Sequence, residues 1–254
     1  MSRPSIPELR SVSQPDGLLD RRSGEHWAGR TYMRRISVHL TRALVGTPVT
    51  PNGLTLAMLG AGVAAGAALV APGLAGAVLS ALLVQVYLLL DCSDGELARW
   101  RRQTSPTGVY LDRVGHYLAE AALLVGAGFR AGSGQAGGWA VLGCLAALGA
   151  VLIKAETDLV HVARAQSGLP AMTEAAVLPR SSGLASLRRA AASLRLHRII
   201  GAVEASLFLL AAAVIDMFAG GLSATRFVVA AFAVVAAVQA VLHLASVLMS
   251  SRLR

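Results

Sequence analysis

Residues 75–99 read AGAVLSALLVQVYLLLDCSDGELAR, and this stretch decides the fold. From Ala75 to Leu90 it is almost entirely apolar, and then Asp91, Asp94, Glu96 and Arg99 follow in quick succession. The apolar part suits the hydrocarbon core of a bilayer, which a helix of about 20 such residues can cross. A charge placed in hydrocarbon costs about 3 kcal/mol on the lower scales, so acids issuing from such a helix point to function before packing. Asp91 and Asp94 are three apart and share one helix face. Gly95 and Ala98 continue that face with almost no side chain. They leave a recess in which a nucleotide or a metal-bound phosphate can approach the backbone.

Working outward, the whole chain has the same character. It is 254 residues long, 55% hydrophobic and 15% charged, whereas a soluble domain carries about 25% charged residues. Its mean hydropathy is +0.60. The fold class expected is all-α integral membrane, with six transmembrane helices at roughly 53–71, 74–98, 107–130, 137–163, 197–218 and 223–249. Pro72-Gly73, the Gly-rich stretch 132–138 and Gly220-Gly221 supply the breaks between them. Two domains follow: residues 1–50 as a cytoplasmic N-terminal segment, and 51–254 as the six-helix membrane domain. Gly60, Gly62 and Gly66 faintly echo a dinucleotide fingerprint, but without a preceding strand they are better read as allowing close helix approach.

The net charge is +9, and all but one of the basic residues are arginines. They cluster in 1–50, after the second helix, in 164–198 and at 252–254, while the opposite side offers only Arg130 and Arg226. The positive-inside rule therefore places both termini and the Asp91–His116 segment in the cytoplasm, in a multi-pass protein of the cell (inner) membrane. Nucleic acid is not an expected partner, since no aromatic-plus-basic binding element accompanies the charge. Residues 27–47 read as an amphipathic helix lying on the cytoplasmic face, with arginines suited to anionic headgroups of membrane lipids. Gly183–Leu196 reads either as a second interfacial helix or as a flexible loop. The polar, Arg-rich start does not resemble a secretory signal peptide. Cys92 and Cys144 both fall in spans and form no disulfide framework.

The third expected span opens on Ser105-Pro106-Thr107, a hydroxyl cap followed by proline in the first turn. It then presents Gly108, Asp112, His116 and Glu120 on one stripe, available to face Asp91 and Asp94. Three carboxylates brought together repel unless cations neutralise them. Oxygen donors without a thiolate pair select a hard ion, so magnesium or manganese is the expected cofactor, as two ions bridging a pyrophosphate. His116 is placed to accept a proton from an attacking alcohol. A purely structural network of Asp91, Asp94 and Asp112 with Arg99, Arg102 and Arg113 is the alternative, but it leaves Gly95, Ala98 and Gly108 unexplained. A cation transporter is a further alternative, weakened because the acids gather at one surface and not at mid-membrane.

These residues resemble a known pattern. The CDP-alcohol phosphotransferase family carries D-x2-D-G-x2-A-R-x8-G-x3-D-x3-D, and here Asp91, Asp94, Gly95, Ala98, Arg99, Gly108 and Asp112 match it, with His116 in place of the last aspartate. Pro51-Asn52 ahead of the first span is similar to the family as well. The resemblance implies a transferase that moves a substituted phosphate, phosphatidyl being the usual one, from a CDP-linked donor (CDP-diacylglycerol or a small CDP-alcohol) to an alcohol acceptor, releasing CMP. It implies metal binding by Asp91, Asp94 and Asp112, with His116 as a fourth ligand or as the base. It also implies a cytidine diphosphate pocket lined by Asp94, Gly95, Ala98 and Gly108, a steadying role for Arg99, and a homodimer. Glu120, one turn beyond His116, is a candidate for the missing carboxylate. Lys154, Glu156, Asp158 and His161 form a second polar cluster, and Arg195 and Arg198 are candidates for holding a phosphorylated acceptor. A relative that binds a CDP-linked lipid without turnover is the other reading consistent with His116.

Overall fold

The computed structural model describes residues 4–15, 27–170 and 199–253. Among them run eight α-helices: α1 (Ile6–Ser13), α2 (Arg34–Leu44), α3 (Pro51–Val70), α4 (Gly73–Arg101), α5 (Pro106–Ala131), α6 (Gly138–Gln166), α7 (Ala202–Ala219) and α8 (Ser223–Leu248). The described residues contain no strand, so the expected all-α class holds. The six long helices, α3 to α8, start and stop within a few residues of the expected spans. Five of them, α3, α4, α6, α7 and α8, are long and apolar enough to cross a membrane. Helix α5 is long enough at 26 residues, but Asp112, Arg113, Glu120 and Arg130 along it set it apart from those five. The second interfacial helix considered at Gly183–Leu196 lies outside the described residues.

The chain divides into two compact units, one of residues 1–65 and 78–119, the other of 66–77 and 120–254. In the second unit, packing rests on missing side chains. A methyl group added at Gly66 would strike the backbone of Ala122, and one at Gly128 would come within 2.8 Å of Gly143 Cα. One at Gly149 would lie 2.8–3.0 Å from Ala236. Lipid tails are as apolar as leucine, so helices in a bilayer gain by this close backbone approach and not by apolar burial alone. Polar atoms close the helix ends. The buried carboxylate of Asp216 accepts from the N–H groups of Ala224 (2.8 Å) and Thr225 (3.0 Å), capping α8. Arg130, also buried, donates to the carbonyls of Ala71 and Gly73. Gly220 ends α7 at a φ of 72°, a left-handed turn that glycine adopts without strain.

The first unit is organised around one acid. Glu96, on the last turns of α4, is fully buried. It accepts hydrogen bonds from Gln14 Nε2 (2.8 Å), Ser37 Oγ (2.6 Å) and Thr41 Oγ1 (2.7 Å), and pairs with Arg34 Nη1 at 3.3 Å. Desolvating a carboxylate costs several kcal/mol, and each hydrogen bond to a charged group returns about 1.5–3 kcal/mol, so this many partners are what make the burial tolerable. The effect is to fasten the chain beyond α1, through Gln14, and all of α2 to the end of α4. A π-helical turn, Gly29–Met33, leads directly into α2. Inside it, the Tyr32 hydroxyl donates to Gln85 Oε1 at 2.7 Å.

Helix α2 thus forms within the expected 27–47 segment, but the face it buries includes Ser37 and Thr41 beside Met33 and Val38, while Ile36 is exposed. The inward face is partly polar because its partner is a carboxylate. Arg101 completes the arrangement by donating to the carbonyls of Leu44, Val45, Thr47 and Val49, which pins the connection from α2 to α3. Replacing Glu96 with alanine leaves Gln14, Ser37, Thr41 and Arg34 facing a void, an expected loss of about 3 kcal/mol. Hydrogen exchange on the detergent-solubilised protein is the check. Amides of 34–44 should exchange faster while those of 51–65 hold, and unchanged exchange in 34–44 would contradict this role.

Candidate active site

Three helix ends meet in the first unit. Helix α3 begins at Pro51, with Thr50 Oγ1 accepting from the Gly53 N–H at 3.0 Å. Helix α5 begins at Pro106, with Ser105 Oγ accepting from the Gly108 N–H at 3.0 Å, the hydroxyl cap read from the sequence. The last turns of α4 supply the third side. Between them lies a cavity of about 480 Å³ whose wall includes Asp91, Asp94, Gly95, Ala98, Arg99, Gly108, Asp112 and His116. Every motif residue singled out from the sequence therefore reaches one cavity. Arg195 and Arg198 lie outside the described residues.

Within that wall the acids separate into two environments. Asp91, Asp112 and His116 each offer a ligand atom, and these atoms lie within 4.8 Å of one another. His116 Nε2 is 3.3 Å from Asp91 Oδ1 and 3.4 Å from Asp112 Oδ1, and all three side chains are partly exposed to the cavity. Its Nδ1 is hydrogen-bonded to the hydroxyl of Tyr87, a buried residue one helical turn before Asp91. Asp94 is buried, and its Oδ2 accepts from Thr55 Oγ1 of α3 at 2.5 Å. The cluster that comes together is thus Asp91–Asp112–His116, with Asp94 braced beside it. Two carboxylate oxygens and an imidazole nitrogen at this spacing form a donor set that suits a divalent cation.

The small residues keep the space open. A methyl group on Gly108 would meet Asn52 Oδ1 at 3.1 Å, and one on Gly95 would meet the Arg99 guanidinium at 3.1 and 3.3 Å. Arg99 is itself held by donating Nε–H to the Ser13 carbonyl at 2.6 Å. Opposite in sign to the acids, Arg34, Arg99 and Arg113 also line the cavity. Acids and guanidiniums in one cavity wall suit an anion that brings its own cations. Sequence reasoning missed Arg34, Thr55 and Tyr87. Tyr87 had a signal, since it lies four residues before Asp91 on the same helix face. Glu120, a candidate for a further oxygen ligand, forms an ion pair with Lys154 at 2.9 Å in the second unit. In that unit Thr157 also bonds His243 Nε2 at 3.1 Å.

Long apolar helices together with an acid-and-imidazole cluster in a small-residue cavity define a membrane protein with a candidate metal-dependent site. The chain matches the CDP-alcohol phosphatidyltransferase family over residues 48–252, and it belongs to that family. A search of curated proteins finds no significant match. Members are transferases that use divalent metal, in keeping with the cluster found here.

A ligand that binds only the folded state stabilises it, by about 2.7 kcal/mol at a hundred times its Kd. Manganese at saturating concentration should therefore raise the melting temperature of the purified protein in detergent. In Asp112→Asn that shift should shrink or vanish. An undiminished shift in the variant would place the bound ion elsewhere.

Proposed function

We propose that this protein transfers a phosphatidyl group from a CDP-linked donor, CDP-diacylglycerol above all, to an alcohol acceptor, releasing CMP in phospholipid biosynthesis. The observation that carries this reading is the convergence of Asp91, Asp112 and His116 in the same cavity as Asp94, Gly95, Ala98 and Gly108. Asp91, Asp112 and His116 would hold a divalent cation, magnesium or manganese, with Asp94 beside them for a second. Bound there, the cations supply Lewis-acid activation of the donor's pyrophosphate and neutralise the charge on the departing CMP.

This chain's own residues do the rest. Gly95, Ala98 and Gly108 let the nucleotide approach the helix backbones. Arg34 and Arg99 face the phosphates, and planar guanidinium groups match phosphate oxygens in geometry as well as charge. The acceptor hydroxyl oxygen forms a bond to the phosphorus that bears the lipid group, and the bond from that phosphorus to the oxygen shared with CMP breaks. The hydroxyl proton passes to a basic group of the cavity wall, Asp112 or His116. Arg195 and Arg198 are proposed to hold a phosphorylated acceptor.

Six membrane crossings, with α5 as the third, bring both termini and the cavity to the cytoplasmic side, as the arginine distribution favours. A homodimer in the cell membrane completes the proposal. His116 also motivates a second reading, a relative that binds a CDP-linked lipid without turnover.

The two readings part on one assay, in which purified protein receives CDP-diacylglycerol, a panel of alcohol acceptors and magnesium or manganese, and CMP is followed. Metal-dependent CMP release, reduced at least a hundredfold in Asp112→Asn and kept or raised in His116→Asp, is the expected result. Nucleotide binding without CMP under every combination would leave the binder.

A further inference from the structure

Tyr87, which the motif does not contain, touches the metal cluster directly through His116. The residue is buried, with 3% of its surface exposed. A methyl added at Gly62 of α3 would strike Ala119 Cβ of α5 and also lie 3.2 Å from the Tyr87 ring, so the bare glycine lets α5 approach and leaves the phenol beside it unobstructed. On its other side the ring meets the His116 imidazole edge-to-face, with centroids 5.8 Å apart and planes at 82°. The hydroxyl reaches Nδ1 of that imidazole. With Nδ1 so engaged, the ring presents Nε2 to Asp91 and Asp112 and cannot turn away without breaking the bond.

This is how proteins prepare a histidine ligand: one ring nitrogen bonded to a neighbour, the other aimed at the ion. A phenol suits the task because it can donate or accept. It can therefore accept the Nδ1–H of an imidazole whose Nε2 lone pair is given to a cation.

We propose that Tyr87 is a positioning residue that commits His116 Nε2 to the divalent cation, giving this chain a mixed nitrogen–oxygen metal site instead of an all-carboxylate one. The inference rests on the metal-dependent reading above and deepens it. Two consequences follow. An imidazole donor suits manganese, cobalt or zinc better than magnesium, which prefers oxygen ligands and retains water. With both ring nitrogens engaged, His116 is a ligand and not the base, and the acceptor's proton goes to Asp112.

The test is pulsed electron paramagnetic resonance on the purified full chain loaded with Mn2+, which detects a directly bonded nitrogen by its nuclear coupling and needs no turnover. A histidine-type nitrogen coupling is expected in the wild type and absent in His116→Asp, where the preference for Mn2+ over Mg2+ should also fall. Tyr87→Phe keeps the ring's shape and removes only the hydroxyl. It should weaken Mn2+ binding about ten- to a hundredfold, the usual cost of losing such a support, with little change in melting temperature without metal.

Mn2+ bound with no nitrogen coupling, or with a coupling that survives His116→Asp, would overturn the inference and leave the phosphotransferase reading standing. Nitrogen coupling in a protein that releases no CMP would sustain the inference and sink that reading. No Mn2+ binding at all would sink both.

Discussion

Two carboxylates held a few ångströms apart at the edge of a membrane repel each other, and the rest of the site is built to meet that constraint. At the 4.8 Å limit that encloses the ligand atoms of Asp91, Asp112 and His116, the repulsion is about 3–4 kcal/mol for an effective dielectric of 20. Surface ion pairs worth a few tenths of a kcal/mol do not offset it, whereas a divalent cation does. His116 Nε2, at nearly equal distances from the two acids, marks the point they share. Small residues then keep that point open to a ligand, and Arg34 and Arg99 supply the sign a phosphate needs.

The end of α4 serves two purposes on two faces. Asp91, Asp94, Gly95 and Ala98 face the cavity, while Glu96 is turned to the N-terminal segment and gathers Gln14, Arg34, Ser37 and Thr41. Arg34 belongs to both, because it pairs with Glu96 and also lines the cavity. A bilayer-facing helix bundle has little hydrophobic drive to order such a segment, so a buried polar hub is an effective substitute. The N-terminal helices are in this sense part of the site.

The long helices were legible because spans of apolar residues broken by Gly and Pro admit few alternatives, and the six long helices follow those breaks. The cavity wall was legible because i, i+3 and i, i+4 spacings alone put Asp91 with Asp94 and Gly108 with Asp112 and His116 on shared faces. What periodicity could not show were contacts between elements distant in sequence. Thr55 bracing Asp94, and Glu96 binding residues more than fifty positions away, have no local signature. Glu96 sits in a variable position of the motif, which gives it no signal of its own. The amphipathic pattern of 27–47 likewise did not show that Ser37 and Thr41 turn inward, since those polar residues make sense only once their partner is known. Glu120 shared the helical stripe with His116, yet its carboxylate is engaged by Lys154, a partner on another helix.

The Asp91, Asp112 and His116 side chains are proposed to form one metal site that receives a CDP-linked pyrophosphate. The most direct measurement is an experimental structure of the protein with Mn2+ and CDP, the ion located by its anomalous scattering. The expected result is an anomalous peak within bonding distance of Asp91, Asp112 and His116 Nε2, with the diphosphate beside it and the nucleotide along Gly95, Ala98 and Gly108. An ion bound away from these three side chains, or a nucleotide outside this cavity, would contradict it.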